Sequence, residues 1–254
     1  HLIEAVGLTK HYRTRTSIVD ALKGKRDKVR AVDGVDLAMK HGESVGLLGE
    51  SGCGKTTTGR LLLGLTPPSD GTVRFDGEDV ATFDTAQTKR FRRNAQLIFQ
   101  NPFEAINPRF TIERAVSEPL VNAGIPKSEH RGMIDKAMAA VKLPNASELY
   151  DRYPHRLSGG QLQRVVIARA LILEPKFIVA DEPVSMLDVS VRAGILNVLR
   201  DVRDRLGLTA VYISHDLSLV RYVCERTIVM YLGRIVEDGP TADIIREPRH
   251  PYTQ

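Results

Sequence analysis

The run Gly49-Glu50-Ser51-Gly52-Cys53-Gly54-Lys55-Thr56 constrains the fold of this chain more than any other stretch. It fits G-x-x-x-x-G-K-[ST] at every fixed position. Ser44 to Leu48 precedes it as a short buried strand, and Thr56 to Leu65 follows as a helix that ends at Pro67-Pro68. A strand that turns through glycines into a helix aims backbone N–H groups and the positive helix end at one point. That point is a phosphate cradle, and an α/β framework has to surround it. Lys55 supplies the point charge for β- and γ-phosphates, and the Thr56 hydroxyl is placed to ligate Mg²⁺. Gly49, Glu50, Ser51, Gly52, Cys53, Gly54, Lys55, Thr56 and Thr57 are the candidate ATP-binding residues. A chance Gly-rich turn is the alternative, and the flanking strand and helix weigh against it. Cys53 reads as a thiol activated by the helix end or, more simply, as a spacer.

Downstream, Phe177-Ile178-Val179-Ala180 is an apolar strand that ends in Asp181-Glu182. Ligands bind beyond the carboxyl ends of strands in open α/β sheets. Asp181 is expected to hold Mg²⁺ through water, and Glu182 to polarise the attacking water as general base. Glu rather than Gln at position 182 predicts a hydrolysis-competent chain. Gln100, after the strand Gln96 to Phe99, has an amide that reaches both a metal and a water. His215, after Thr209 to Ser214, is placed to hydrogen-bond a γ-phosphate. Each of these two is weak alone and gains meaning only beside the cradle.

Between cradle and acids lies Leu157-Ser158-Gly159-Gly160-Gln161, which opens a strong helix pattern running to Leu173. Ser158 is a natural N-cap. Capping alone would explain it. The functional reading adds a second anion site made of free N–H groups, a hydroxyl and a helix dipole. One chain has no obvious need for two γ-phosphate sites, which suggests use in trans.

The 254 residues suffice for one large domain or a core with a sub-domain. Leu2 to Leu8 reads as an edge strand, Arg13 to Arg30 as an inserted basic loop, and Val32 to Met39 as a half-buried strand. Asp76-Gly77 is a hairpin signal. From Pro102 to Leu173 strand signals vanish and helical spacing dominates, as in Ile112 to Ala123 and Met133 to Val141. This predicts a helical sub-domain inserted into an α/β core. Strands and helices then alternate (Val191 to Leu206, Leu217 to Cys224, Thr227 to Met230), which implies parallel strands with crossover helices. Gly233 to Gly239 reads as a terminal hairpin. The formal net charge of +5 fits nucleic acid, anionic lipid or nucleotide phosphate. A solvated surface explains it more simply, because the densest basic stretch, Lys23 to Arg30, is interrupted by Gly24 and Asp27. Cys53 and Cys224 suggest no disulfide framework, with the reducing cytosol as the default. No signal peptide is visible, and no apolar run approaches the roughly 20 residues that span a bilayer. Opening at His1 and stopping at Gln254 without a terminating signal, the sequence is expected to continue beyond both ends.

With the order cradle, Gln100, Ser158–Gln161, Asp181-Glu182, Ser185-Met186-Leu187-Asp188 and His215, the chain resembles the nucleotide-binding subunits of ABC transporters. The resemblance covers essentially the whole chain. Met186 stands where Ala is commoner in the family, and Asp188 is intact. A narrower resemblance, to the dipeptide/oligopeptide/nickel importer branch, rests on Ile98 to Pro102, Ile106 to Arg109, Tyr153-Pro154-His155, Asp188 to Val191, Met230 to Gly233 and His250 to Gln254. Members of that branch usually continue into a C-terminal extension.

The resemblance implies a P-loop NTPase (RecA-like) α/β core, formed by 1–101 and 174–254. It carries an antiparallel β sub-domain and a helical sub-domain at 102–173, all within one nucleotide-binding domain. It implies Tyr12 as the adenine-stacking aromatic and ATP and Mg²⁺ as cofactors. It also implies a head-to-tail dimer with an identical or related cassette. Each ATP would then lie between one cradle and the partner's Ser158, Gly159, Gly160, Gln161 and Asp188. Transmembrane permease subunits would be the direct partners, and a solute-binding protein an indirect one. The segment Asn101 to Arg109 would meet the membrane subunit. The implied work is import of di- or oligopeptides, powered from the cytoplasmic face of the membrane. Export, another solute, an ATP-trapping regulatory module and an ABC ATPase acting on nucleic acid or ribosomes remain alternatives. The last would want two cassettes or a long coiled coil, which this chain lacks, so no nucleic-acid partner is expected.

Overall fold

The computed structural model describes residues 1–13, 28–143 and 145–254. The chain opens with two long antiparallel strands, β1 (Ile3–Arg13) and β2 (Lys28–Met39). β3 (Ser44–Leu48) follows and runs through the Gly-rich loop into helix α1 (Lys55–Leu62). Next come the hairpin β4 (Asp70–Phe75) and β5 (Glu78–Asp79), helix α2 (Thr85–Asn94) and β6 (Ala95–Ile98). Helices α3 (Pro102–Ala105), α4 (Ile112–Asn122), α5 (Lys127–Ala140) and α6 (Gly159–Leu171) occupy the middle of the chain. The final stretch alternates β7 (Phe177–Asp181), α7 (Val189–Leu206), β8 (Thr209–Ser214), α8 (Leu217–Val223), β9 (Arg226–Tyr231), β10 (Arg234–Pro240) and α9 (Thr241–Arg246).

The larger sheet has the order β10-β9-β3-β8-β7-β6, parallel from β9 to β6. Every residue of β3, β7 and β8 is buried. Continuous apolar runs of this kind belong to parallel strands covered on both faces. Side chains alternate between those faces. Ile178 and Ala180 of β7 and Ala210 and Tyr212 of β8 join a core with α4, α5, α6 and α7. Phe177, Val179, Val211 and Ile213 face the other way, onto α1 and the second sheet. That second sheet, β2-β1-β4-β5, is antiparallel. Among the described residues, Pro102 to Leu171 holds helices and turns and no strand. α6 buries Leu162, Val165, Val166, Ile167 and Ala168, which ties it into the β6–β8 face of the core.

Several local expectations shift. β1 is an inner strand, hydrogen-bonded to β2 on one edge and β4 on the other, rather than an edge strand. Its apolar residues Leu2, Ile3, Ala5 and Leu8 are almost fully buried, which an edge position would not require. Arg13 and Lys28 to Arg30 are strand, because Arg13 pairs with Lys28. The rest of the predicted basic loop, 14–27, and most of the Lys23 to Arg30 stretch lie outside the described residues. α1 stops at Leu62 instead of Leu65, since Gly64 turns left-handed (φ +57°) two residues on. The Asp76-Gly77 turn forms as predicted, both residues at positive φ as a type I′ hairpin needs. Gly233 to Gly239 is not a hairpin by itself: Arg234–Pro240 is the single strand β10, and its antiparallel partner is β9, upstream of the expected bounds.

Gly46 sits mid-β3 beneath α8, and a Cβ there would overlap Val220 Cγ1. Overpacking of this kind costs about 1–3 kcal/mol. We therefore expect Gly46→Ala to lower the thermal midpoint by several degrees. Val220→Ala should restore part of that loss in the double variant.

Candidate functional site

In-register parallel pairing brings four strand ends level. Leu48 pairs with Ser214, Asp181 with Ile213, and Ile98 with Ala180. The residues just past those ends are the Gly-rich loop, His215, Glu182 and Gln100, so the topology gathers them at one rim of the sheet.

The loop is a tight fit against its neighbours. A Cβ on Gly49 would overlap the Met230 carbonyl, and one on Gly54 would overlap the Ala31 carbonyl. Both glycines also have positive φ, at 149° and 108°. The N–H of Gly233 donates to the Cys53 carbonyl at 3.0 Å, which fastens the loop to the β9–β10 turn. Lys55 is buried, and its Nζ donates to the carbonyls of Gly49 (2.6 Å) and Glu50 (2.7 Å). The loop thus holds its own cation before any phosphate arrives. The other side of the Gly49–Glu50 peptide is taken as well, because the Glu50 N–H donates to the Tyr252 hydroxyl at 2.6 Å. Thr57 is half-buried and Ser51 exposed. Cys53 is buried, and burial pushes its thiol above the usual range despite Lys55 nearby. That opposes the activated-thiol reading and leaves Cys53 as a spacer.

The adjacent acids diverge. Asp181, 8% exposed, accepts the Thr56 hydroxyl at 3.1 Å. Burial raises its carboxyl above the ordinary range, and the bond from Thr56 opposes that shift only in part. Glu182 is in the left-handed region at φ 44°, which is rare for a side chain of this kind and concentrates at functional sites. Its backbone is held there by N–H donation to Ile213 (2.9 Å) and by Ser185, which donates to its carbonyl. The turn swings the Glu182 carboxylate across the strand ends. Gln100 Nε2 donates to one oxygen at 3.0 Å, and His215 Nδ1 lies 3.0 Å from the other. Three strands, β6, β7 and β8, therefore meet on one carboxylate.

Ser158 caps α6 and does more than the sequence reading asked of it. Its side chain accepts the Gln161 N–H at 3.3 Å, while Gln161 Oε1 accepts the Ser158 N–H at 3.0 Å, a full capping box. Gly160 has a packing reason of its own, since a Cβ there would lie 2.6 Å from Val191 Cγ1 of α7. Gly159 is exposed, and the first N–H groups of the helix have no intrahelical partner. Asp188 stands exposed at the start of α7, its side chain free of any cap bond. The N-terminal ends of α6 and α7 thus adjoin. Among the described residues, no hydrogen bond links Ser158, Gly159, Gly160, Gln161 or Asp188 to the Gly-rich loop of the same chain.

Tyr12 is exposed on β1, opposite Val29. Two residues further along β2, the Ala31 carbonyl abuts Gly54, so the β1–β2 pair flanks the loop. Tyr252 was not legible as a site residue. It contacts the loop from 202 positions away, and no spacing rule connects the two.

The family model for ABC transporters matches residues 32–185. The chain belongs to the ABC transporter family. Among curated relatives, a putative peptide import ATP-binding protein of Brucella ovis is 49% identical over all 254 residues, which span 76% of that protein. The dipeptide transport ATP-binding protein DppF of Escherichia coli is 44% identical over the same residues, 74% of its length. Among solved structures, the ATP-binding cassette MJ0796, dimeric in a post-hydrolysis state with ADP and Pi, superposes with a TM-score of 0.80. It is 28% identical, covering 94% of this chain and 98% of that one. The P-loop NTPase fold read from the sequence is the fold of these cassettes. Among the described residues, no helix of this ABC chain is long and apolar enough to cross a membrane.

The buried Asp181 carboxylate carries a desolvation penalty in the folded chain. With its folded pKa raised, that penalty is present at neutral pH and fades as pH falls through the raised value. We expect Asp181→Asn, without nucleotide, to melt about 2–4 °C higher at pH 7.5. The gain should shrink at pH 5. An unchanged or lowered midpoint at pH 7.5 would contradict the electrostatic account.

Proposed function

We propose that this chain is the ATP-hydrolysing subunit of an importer of di- or oligopeptides, and that it works as a pair of cassettes closing on ATP. The observation that carries the chemistry is the Glu182 carboxylate, held by Gln100 and His215 beside the Thr56–Asp181 pair and the loop. Gly49 to Thr57 cradle the phosphates, and Lys55 exchanges its two carbonyl partners for phosphate oxygens. Glu182 accepts a proton from the attacking water, with Gln100 and His215 fixing the orientation of its carboxylate. His215 Nε2, unbonded among the described residues, is free for the γ-phosphate. Tyr12 stacks on the adenine.

One buried carboxylate and one hydroxyl suit Mg²⁺, which is usually held by one or two protein groups plus phosphates and water. Thr56 and Asp181 would hold it, with Gln100 near, and Mg²⁺ bound there would neutralise charge on the β/γ-phosphates.

The N–H groups of Gly159 and Gly160 and the Asp188 carboxylate have no partner in their own chain among the described residues, which supports use of these helix ends on the partner's ATP. Closure of the pair would drive transmembrane permease subunits at the cytoplasmic face of the membrane, fed indirectly by a solute-binding protein. Identity of 44–49% over all 254 residues to peptide and dipeptide import subunits supports the solute class. We read residues 1–254 as one cassette, with 102–173 as its helical sub-domain.

In cells carrying Glu182→Gln, dipeptide uptake should fall about 100-fold or more. The purified variant should still bind ATP, and mild detergent extraction should recover it with a pair of membrane proteins. Near-normal uptake, or recovery with ribosomes, would overturn the reading.

A further inference from the structure

Residues Pro248 to Gln254 fold back onto the Gly-rich loop after α9. Glu237 of β10 anchors the turn, its Oε1 accepting the backbone N–H groups of Arg249 (3.0 Å) and His250. The Tyr252 ring then packs on Tyr231 at the end of β9, ring centroids 4.5 Å apart. Its hydroxyl accepts the Glu50 N–H at 2.6 Å. Glu50 is a variable position of the loop, and its side chain is not what Tyr252 reads. The contact is to backbone.

That single peptide is held from both sides. In the Gly49–Glu50 peptide, Tyr252 takes the Glu50 N–H, and Lys55 donates to the Gly49 carbonyl at 2.6 Å. A hydrogen-bonded path thus runs from Glu237 through the tail to Tyr252, Glu50 and Lys55. We infer that Tyr252 is a positioning residue for the nucleotide: its hydroxyl sets the orientation of the Gly49–Glu50 peptide and so orders the loop before ATP binds. The inference rests on reading the loop as the ATP cradle. A loop ordered in advance loses less conformational freedom on binding, and affinity rises accordingly. The path also explains why Tyr231 and Tyr252 are both aromatic. The first is the platform and the second carries the hydroxyl.

The test measures ATP affinity without Mg²⁺, where hydrolysis is silent, alongside KM and kcat with it. One net hydrogen bond corresponds to about 3–10-fold. Tyr252→Phe keeps the ring and drops the hydroxyl, so we expect ATP affinity and KM to weaken by that factor, with kcat moving less. Glu237→Ala, which touches neither ATP nor the loop, should weaken affinity in the same direction by releasing the tail. In a ¹⁵N-labelled chain, the Glu50 amide proton should shift upfield in Tyr252→Phe before any nucleotide is added. A Tyr252→Phe chain with wild-type affinity and an unmoved Glu50 amide overturns the assignment, and so does a folded Glu237→Ala chain with wild-type affinity. Lys55→Ala separates the two levels of inference. If it binds ATP as wild type does, the cradle reading itself fails. If it loses binding while Tyr252→Phe does not, only the role of Tyr252 fails.

Discussion

In-register parallel pairing of β3, β8, β7 and β6 is the constraint on which the rest of this structure depends. It sets the Gly-rich loop, His215, Glu182 and Gln100 level at one rim of the sheet. None of these groups is near another in sequence. The register is itself held by burial on both faces, because a one-residue slip would exchange the Ile178 and Ala180 set for Phe177 and Val179. The geometry of the site is therefore a consequence of core packing, and a core substitution such as that at Gly46 acts on both.

The site carries local destabilisation that the framework sustains. Glu182 holds a left-handed backbone, Asp181 is a buried carboxylate with its pKa pushed up, and the Lys55 ammonium is buried on two carbonyls. Each is unfavourable alone. On the proposed function, a triphosphate with its cation would relieve two of the three, by giving Lys55 anionic partners and Asp181 a cation to face. Stability of the empty chain and affinity for nucleotide are in this sense opposed, which is why charge removal at Asp181 should stabilise a chain that it disables.

Much of this was legible in the sequence where a motif fixes both residue type and backbone conformation. The loop needs glycine at 49 and 54, and the structure shows backbone carbonyls filling the space a side chain would take. The strand-end acids were legible because four apolar residues precede them. Gln100 and His215 were legible only as strand-end residues in a chain with a cradle, and their meeting on the Glu182 carboxylate depends on a register that no local pattern states. α2 went unread although Asp84 and Gln87 form a capping box that announces it, because few apolar residues follow to give it a period. β1 was misplaced at a sheet edge because its pairing with β4 lies some 60 positions away in the chain. Tyr252 illustrates the same limit, since its contact is to a backbone N–H that any residue at position 50 would present.

The account turns on a site assembled from two chains. Among the described residues of one chain, the Gly159 and Gly160 N–H groups and the Asp188 carboxylate have no hydrogen-bond partner, beside the capping box of Ser158 and Gln161. One structural neighbour of this chain, the ATP-binding cassette MJ0796, is dimeric with ADP and Pi bound. The most direct measurement mixes two inactive variants, Lys55→Ala and Ser158→Arg. A mixed pair contains one intact composite site, formed by the cradle of the Ser158→Arg chain and the helix end of the Lys55→Ala chain. Composite sites predict that ATP hydrolysis, absent in either variant alone, returns in the mixture. If each chain used its own Ser158, every site in the mixture would stay broken, and a mixture as inactive as its components would contradict the account.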